Sequence, residues 1–440
     1  MKALKTCVAS VVAMLAAGVV HAAPQELQVW HALDPVHKAS FEALVKDFNK
    51  SQKDVVVKLS SAPDFTAMQA GVAQAVRDKK TPHLVQLPDN YNPEIVAKDN
   101  RVQPMYELLA KHPIKDLKWF LPQTTSFVRD GKNRLLALPL MAEIPVLFYN
   151  RDLFKKAGLN PDSPPTTWQE MQGSLVQLQA AGLRCPYASS DTVWVHQENI
   201  SSSNSAPFAS RNNGLDGGKP EILVNDLLHI RHLSMMATWV RSGLLAQVSM
   251  DGAADAAFAR GECAMLTSGS GAWAALDKSK FSTGVAAVPS HEEGKRTPGT
   301  PLVGGSSLWA LAGHSAADQK AMAQFVAWLI SPGVAAKWHQ DTGYLPMTDA
   351  AARAADVSFY QKIPGAQNIV QSMQAAPGPN GRGFRLTHYP AINAILAEET
   401  MAALNGQKPP MKAQMDAARR ASAAMGTPVA AGSKAAGAKK

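Results

Sequence analysis

The residues of this chain that could do chemistry are twelve histidines, two serine- and glycine-rich clusters and a scatter of aromatic side chains. They fit binding better than catalysis. The chain has no G-x-S-x-G elbow, no H-E-x-x-H pair, no G-x-x-x-x-G-K-[ST] phosphate loop and no G-x-G-x-x-G turn. His31 could be grouped with a distant Asp and Ser as a triad, but so many histidines make such groupings arise by chance. A secreted hydrolase is therefore the weaker reading, and no catalytic residue is assigned. Binding signals are stronger. Ser268-Gly269-Ser270-Gly271 follows an apolar run and precedes a predicted helix at Ala272. Small residues there bare backbone N–H groups, and helix N-termini attract anions; the alternative is a turn that merely needs glycine. Val303-Gly304-Gly305-Ser306-Ser307 allows close backbone approach to a ligand, or simply a bend. Trp30, Phe65, Trp194, Trp273, Trp309, Tyr344 and Tyr389 fall near predicted strand ends and loops. Rings beside polar groups suit polyol or sugar faces, although any single ring is more often core. Asp89, just past a predicted strand, suits ligand hydroxyls or a solvated turn.

The elements that must position these residues follow an α/β grammar. Leu27–Trp30, Val55–Leu59 and Pro82–Leu87 read as strands. Between them lie helices at Lys38–Asn49, with Phe41, Leu44, Val45 and Phe48 on one face, and from an Asp64 cap to about Lys79, with Met68, Val72 and Val76 inward. This alternation predicts a parallel sheet with helices on both faces. Ligands of such sheets sit beyond the carboxyl ends of the strands, which points to the segments after Trp30, Leu59 and Leu87. The second half repeats the pattern. Helices are expected at Gln169–Ala181, Asp226–Ser242, Ala317–Ile330 and Gly333–His339, and strands at Cys263–Leu266, Gly284–Val288 and Leu308–Leu311. Between the halves, the run Val146–Tyr149 stops at Asn150-Arg151-Asp152, a short basic helix ends at Gly158, and Thr167 starts a helix at Trp168.

A length of 440 residues suits two or three domains, and an apolar share of 46% suits substantial cores. Met1–Ala22 reads as a secretory leader, with Lys2 and Lys5 before the apolar Val11–Val20 and small residues around Ala22. Cys7 precedes the apolar core, so no lipid anchor is expected, and no later segment is long and apolar enough to span a bilayer. The formal net charge of +9 is concentrated in the leader and in the end from Lys412 onward. It therefore predicts no nucleic-acid-binding face. Residues 427–440 read as a disordered basic tail. Of three cysteines, Cys185 and Cys263 survive processing. In an exported chain they can form a disulfide, the favoured reading, or stand as two buried thiols. No CxxC motif or Cys/His cluster suggests a metal, and no cofactor is expected.

Several segments together are similar to one family. WHALDP at Trp30, IPVLFYNRDLFKKAGL at Ile144, AGLRCPYAS at Ala181, PFASRNNGLDG at Pro207, GECAM at Gly261, VGGSSLWAL at Val303, KWHQDTGYLP at Lys337 and GFRL at Gly383 resemble the periplasmic glycerol-3-phosphate-binding proteins of bacterial ABC importers. The resemblance implies a monomeric two-lobed periplasmic-binding-protein fold, each lobe a mostly parallel sheet with helices on both faces. The lobes would comprise residues 23–139 plus 289–330 and 141–288 plus 331–426. It implies a periplasmic protein that captures a small molecule of the glycerol phosphate class in the interlobe cleft by hinge closure. The closed form would deliver it to the permease subunits, with no other membrane contact and no metal or nucleotide. A sugar- or polyol-binding protein of an ABC importer is the alternative within this class.

The family's ligand positions carry over unevenly. Tyr344, Gly305 and Trp194 match a cleft Tyr, Gly and Trp. Asp89 stands for a Glu that binds the glycerol hydroxyls, Phe65 for a Tyr, and Gly269 for a Ser, with Ser270 adjacent. Three positions depart further: Asp191 for a stacking Trp, Glu143 for a Ser at the lobe crossing, and Asn393 for an Arg that pairs with phosphate. Asn cannot supply the bidentate fork of Arg, and added carboxylates repel a dianion. The pocket is thus expected to be acidic, suited to a cationic end such as choline or to a neutral polyol, with Arg385 as a candidate compensating cation.

Overall fold

The computed structural model describes residues 23–90, 101–115, 117, 127–130, 132–250, 252–276, 279–291 and 299–426. The expected leader, 1–22, and tail, 427–440, lie outside the described residues. Strands β1 (Gln25–His31), β2 (Val55–Ser61) and β3 (Leu84–Pro88) alternate with helices Pro35–Ser51 and Phe65–Arg77, as their periodicity predicts. The face Phe41, Leu44, Val45 and Phe48 is buried. Asp64 caps the second helix by accepting from the Ala67 N–H, and Met68 is buried there while Val72 is half-buried. β4 (Leu138–Glu143) and β10 (Gly304–Ala310) complete a sheet of order β2-β1-β3-β10-β4.

A second sheet has the order β7-β6-β8-β5-β9, from β5 (Pro145–Asn150), β6 (Tyr187–Ser190), β7 (Leu245–Ser249), β8 (Met265–Gly269) and β9 (Thr283–Ala287). In each sheet one strand is reversed. β10 runs antiparallel to β3 and β4, and β5 runs antiparallel to β8 and β9, while the remaining pairs are parallel. The apolar run of β5 follows from its burial on both faces. Val146 and Phe148 join one core, with Phe258 and Leu266; Leu147 and Tyr149 join the other, with Trp168, Tyr187 and Trp239.

The chain passes from the first sheet to the second between β4 and β5, with Ile144 alone between them. This is later than the crossing near residue 140 that the sequence suggested, because Met141, Ala142 and Glu143 still pair with β10. The chain returns from β9 to β10, and helix Ala316–Leu329 packs Met322, Phe325 and Val326 on the first core. Helix Pro332–Thr342 contributes Trp338 to that same core. Two strands fall later or earlier than expected. The run expected to end at Leu266 continues through Ser268 and Gly269, and the Gly-rich segment from Gly304 is the start of β10 rather than a bend.

Cys185 and Cys263 are joined by a disulfide, with 4.5 Å between their Cα atoms. It ties the segments entering β6 and β8, which are paired neighbours. Local signals also hold. Thr167 accepts from the Glu170 N–H at 3.1 Å, and the Glu170 carboxylate accepts from the Thr167 N–H at 3.2 Å, a reciprocal cap for helix Trp168–Ala180. Replacing Thr167 with Ala is expected to cost about 1 kcal/mol. Urea unfolding would show this as a lower midpoint at constant slope.

Candidate functional site

A cavity of ≈ 440 Å³ opens where the two sheets meet. Its walls come from both sides of the crossing. From the first sheet come Asp34 and His37, which follow β1, and Glu143 at the end of β4. From the second come Asp191 and Trp194 after β6, Asp255 on helix Ala253–Ala259, and Ser268 and Gly269 of β8. Tyr344, just beyond helix Pro332–Thr342, closes one side.

Asp34 is the N-cap of helix Pro35–Ser51 and accepts from the Val36 and His37 N–H groups. Its other carboxylate oxygen meets His37 Nδ1. Burial pulls the His37 pKa down, but Asp34 and then Glu143 pull it up, and the balance lies above the ordinary value. The Tyr344 ring packs on His37 at 4.8 Å, with its hydroxyl 3.4 Å from Nδ1. His37 Nε2 is buried, and the Gly271 backbone also helps to raise the His37 pKa.

Glu143 accepts from the Gly271 N–H at 3.2 Å. Glycine is required around it. A Cβ on Gly269 would stand 2.2 Å from Glu143 Oε2, and one on Gly271 would stand 2.5 Å from the Tyr344 ring. Burial raises the Glu143 carboxyl to about 7, opposed by Gly271 and His37 and reinforced by Asp191 and Asp255. Asp191 is likewise raised by burial, to about 6, and the pKa of Asp255 is raised for the same first cause. Ser190 donates to Asp255 at 2.9 Å. Asp191 also holds a left-handed backbone, φ 45, a conformation unusual outside glycine that tends to cluster at binding sites. Trp194 opens a five-residue π-helix, Trp194–Glu198. Its ring lies against Gly304, where a Cβ would come within 2.9 Å, and its Nε1 is buried without a partner among the described residues.

Glu143, Asp191, Trp194, Gly269 and Tyr344 therefore meet in one cavity. The other candidates lie apart from its walls. Gly305, at φ 118, lies in β10 with its carbonyl accepting from the Asp89 N–H at 3.1 Å. Asp89 is buried and raised to about 7 by that burial, against an opposing hydrogen bond from the Ser307 side chain. Phe65 starts helix Phe65–Arg77 and packs on the first core. Ser270 faces a separate, apolar cavity with Trp273 and Phe359. Asn393 donates to the Tyr389 hydroxyl at 3.2 Å, and that hydroxyl is bonded to buried Glu198, so Asn393 is two side chains removed from Asp191's neighbourhood. Arg385 does not line the cavity, and its guanidinium donates to the Arg129 carbonyl. Among the described residues no lysine or arginine lines the cavity.

Two participants were not singled out from sequence. His37 could have been found, because Asp34-Pro35 is a helix-start signature directly after the first strand. Asp255 carried no comparable signal.

Residues 43–365 match a family model described as bacterial extracellular solute-binding protein. The sn-glycerol-3-phosphate-binding periplasmic protein UgpB of Yersinia pseudotuberculosis is 33% identical over 90% of this chain and 91% of its own length. The protein of the same name from Escherichia coli (strain K12) is 33% identical, over 89% of this chain and 90% of its own. Among solved structures, UgpB from Mycobacterium tuberculosis in complex with glycerophosphocholine superposes with a TM-score of 0.71 at 18% identity, covering 92% of this chain and 99% of that one. A solute-binding protein from Agrobacterium radiobacter in complex with ribitol gives 0.71 at 19%, covering 91% and 98%. At these identities the structural likeness establishes the shared two-lobed fold.

Proposed function

Since the chain belongs to the bacterial extracellular solute-binding proteins, we propose that it is the periplasmic solute-binding subunit of an ABC importer for sn-glycerol-3-phosphate or a glycerophosphodiester. The relatives that carry the glycerol-3-phosphate name are matched along nearly their whole length. The observation that carries the reading is the cavity itself, walled from both sheets at the point where the chain crosses between them. Closure of the lobes about Ile144 and the second crossing would bury a ligand there, and binding would favour the closed form by its differential affinity for it. The sequence-based lobes, 23–139 plus 289–330 and 141–288 plus 331–426, are proposed with the first boundary moved to Ile144 and with helix Pro332–Thr342, whose Trp338 packs in the first core, assigned to the first lobe. Glu143, Asp191, Trp194, Gly269 and Tyr344 are the proposed contacts. Asp89, Phe65, Gly305, Ser270 and Asn393 would support them, or reach the ligand on closure. The closed form would dock on permease subunits, and no turnover of the ligand is expected.

The test is a thermal unfolding series on refolded, ligand-stripped protein with sn-glycerol-3-phosphate, glycerophosphodiesters and neutral saccharides. A ligand present at 100 times its Kd should add about 2.7 kcal/mol of stability. Stabilisation by a glycerol phosphate supports the reading. Stabilisation by saccharides alone would replace it with a sugar- or polyol-binding role, which the lack of a lining lysine or arginine among the described residues makes the second reading.

A further inference from the structure

We propose that Phe127 is a positioning residue for ligand binding: it clasps the first lobe to the second and holds the two at the angle at which both wall the cavity. This rests on the proposed reading as a two-lobed solute-binding protein.

Phe127 and Val128 are consecutive, yet they belong to different cores. Val128 is buried in the core of the first sheet. Its carbonyl accepts from the Leu136 N–H at 2.7 Å, and Arg129 pairs with Leu135 just before β4. Phe127, 6% exposed, enters a cluster with Phe208, Phe384 and Tyr389. Its ring meets that of Phe384 edge-on, with 5.0 Å between centroids, and Phe384 stacks on Tyr389 at 4.8 Å. This cluster goes with the second lobe, because Tyr389 opens helix Tyr389–Leu404, whose Ala403 and Leu404 join the second sheet's core. The Arg385 guanidinium adds a hydrogen bond to the Arg129 carbonyl.

The socket is shaped for the ring. Gly383 has φ 85, and a Cβ there would stand 3.1 Å from the Phe127 ring. Arg211, Asn212 and Asn213 hold three successive left-handed conformations, φ 56, 54 and 53, which L-residues adopt singly and rarely. The turn they make brings two backbones into close approach. The Asn213 carbonyl accepts from the Arg385 N–H at 2.8 Å, and a Cβ on Gly214 would stand 2.1 Å from the Arg385 carbonyl oxygen. PFASRNNGLDG and GFRL, which supply no lining residue of the cavity, thus build the seat for Phe127.

Hinge rotation is absorbed by a few residues at the crossings, while each close-packed lobe moves as a body. Val128 is fixed in the first core, so a change of interlobe angle must unseat Phe127. The seated ring therefore favours the present angle. It also bears on the cavity wall. Tyr389 is bonded to Glu198, the last residue of the π-helix that begins at Trp194, and Trp194 lines the cavity.

Full-length Phe127→Ala and Phe127→Leu proteins supply the test. Small-angle X-ray scattering without added ligand reads the interlobe angle as a radius of gyration. Calorimetric titration with sn-glycerol-3-phosphate and with glycerophosphoglycerol reads affinity. Phe127→Ala is expected to have a larger radius than wild type and to bind about tenfold more weakly, as the binding-competent arrangement loses the burial of one ring. Phe127→Leu keeps most of the apolar bulk and should fall between; it carries the test if the Ala variant does not fold. Phe208→Leu trims the same cluster from within the second lobe. It should lower the unfolding midpoint and leave the radius unchanged, which separates a clasp from a general loss of packing. Equal radii for wild type and the Phe127 variants would overturn the assignment, as would an equal enlargement in Phe208→Leu. A larger radius with unchanged affinity would overturn it too, since the ring would then not position the site. A wild type that binds neither titrant would sink the proposed function, and the radii would still decide the clasp.

Discussion

Replacing Cys185 and Cys263 together with alanine is expected to lower the unfolding free energy by about 4–5 kcal/mol. The bond closes a loop across 78 residues of sequence, and the loss of chain entropy that it imposes on the unfolded state grows with the logarithm of loop length. What lies inside the loop makes the effect consequential. Strand β6, Asp191, the π-helix with Trp194, helix Leu227–Arg241 and Asp255 all fall between the two cysteines. The bond fastens the entry of β6 to that of β8, and these strands carry Ser190 and Ser268, both next to the cavity acids. Denaturant unfolding of wild type and double variant, each assayed also with reductant, provides the measurement. Wild type should lose stability on reduction and the variant should not. A difference below about 1 kcal/mol would mean that the unfolded chain is already compact in this region, so that the cross-link constrains little.

How far the sequence could be read depended on whether a residue's environment was local. The helix Pro35–Ser51 and strands β1 to β3 announce themselves by periodicity and caps, and the structure agrees within a few residues. β6 could not be found that way. Three residues of its sequence Tyr187-Ala188-Ser189-Ser190 bear hydroxyls, and it is a strand because β7 and β8 flank it. Its serines are satisfied by distant partners, as where Thr267 Oγ1 and the His196 ring meet Ser189 Oγ. β4, with Pro139 inside it, likewise owes its existence to pairing with β10. Family resemblance singled out Glu143, Asp191, Trp194, Gly269 and Tyr344, and all five line one cavity. The same resemblance placed Asn393 at the ligand, whereas the structure engages it with Tyr389 behind the wall. A short amide lacks the reach of arginine. Asp255 is close to Asp191 only through the fold, and no spacing in the chain announces it.

Glu143 is expected to withdraw stability from the apo protein as pH rises from about 5 to 8, against the opposite contribution of the buried imidazoles His196 and His339, lowered to about 3 and about 4, and Glu143→Gln is expected to remove its share of the loss. Glu143 has an ordinary carboxyl value of 4.5 when unfolded and about 7 when buried in the folded state. The folded state therefore binds its proton more tightly than the unfolded state does. The corresponding stability is fully present below pH 4.5 and is lost as pH passes through 7. At roughly 1.4 kcal/mol for each tenfold change in proton affinity, the loss from this one carboxyl is on the order of 3 kcal/mol. Asp191 and Asp89 add to it in the same direction, their carboxyls being raised to about 6 and about 7. Glutamine keeps the shape of the protonated acid and can still accept from the Gly271 N–H. Wild type and Glu143→Gln should therefore be nearly equally stable at pH 5. At pH 8 the variant should be the more stable by on the order of 3 kcal/mol, as urea unfolding at the two pH values would read. An identical difference at both values would mean that water reaches Glu143 and leaves its carboxyl ordinary. If the cavity takes a cationic end, ligand must reverse the sign of the effect. The cation binds the ionised carboxylates, so affinity should rise across the same pH window in which the empty protein weakens. A cavity that is unstable when empty and ionised supplies a reason for Glu143, Asp191 and Asp255 to share it with Asp34 and without a lining lysine or arginine among the described residues.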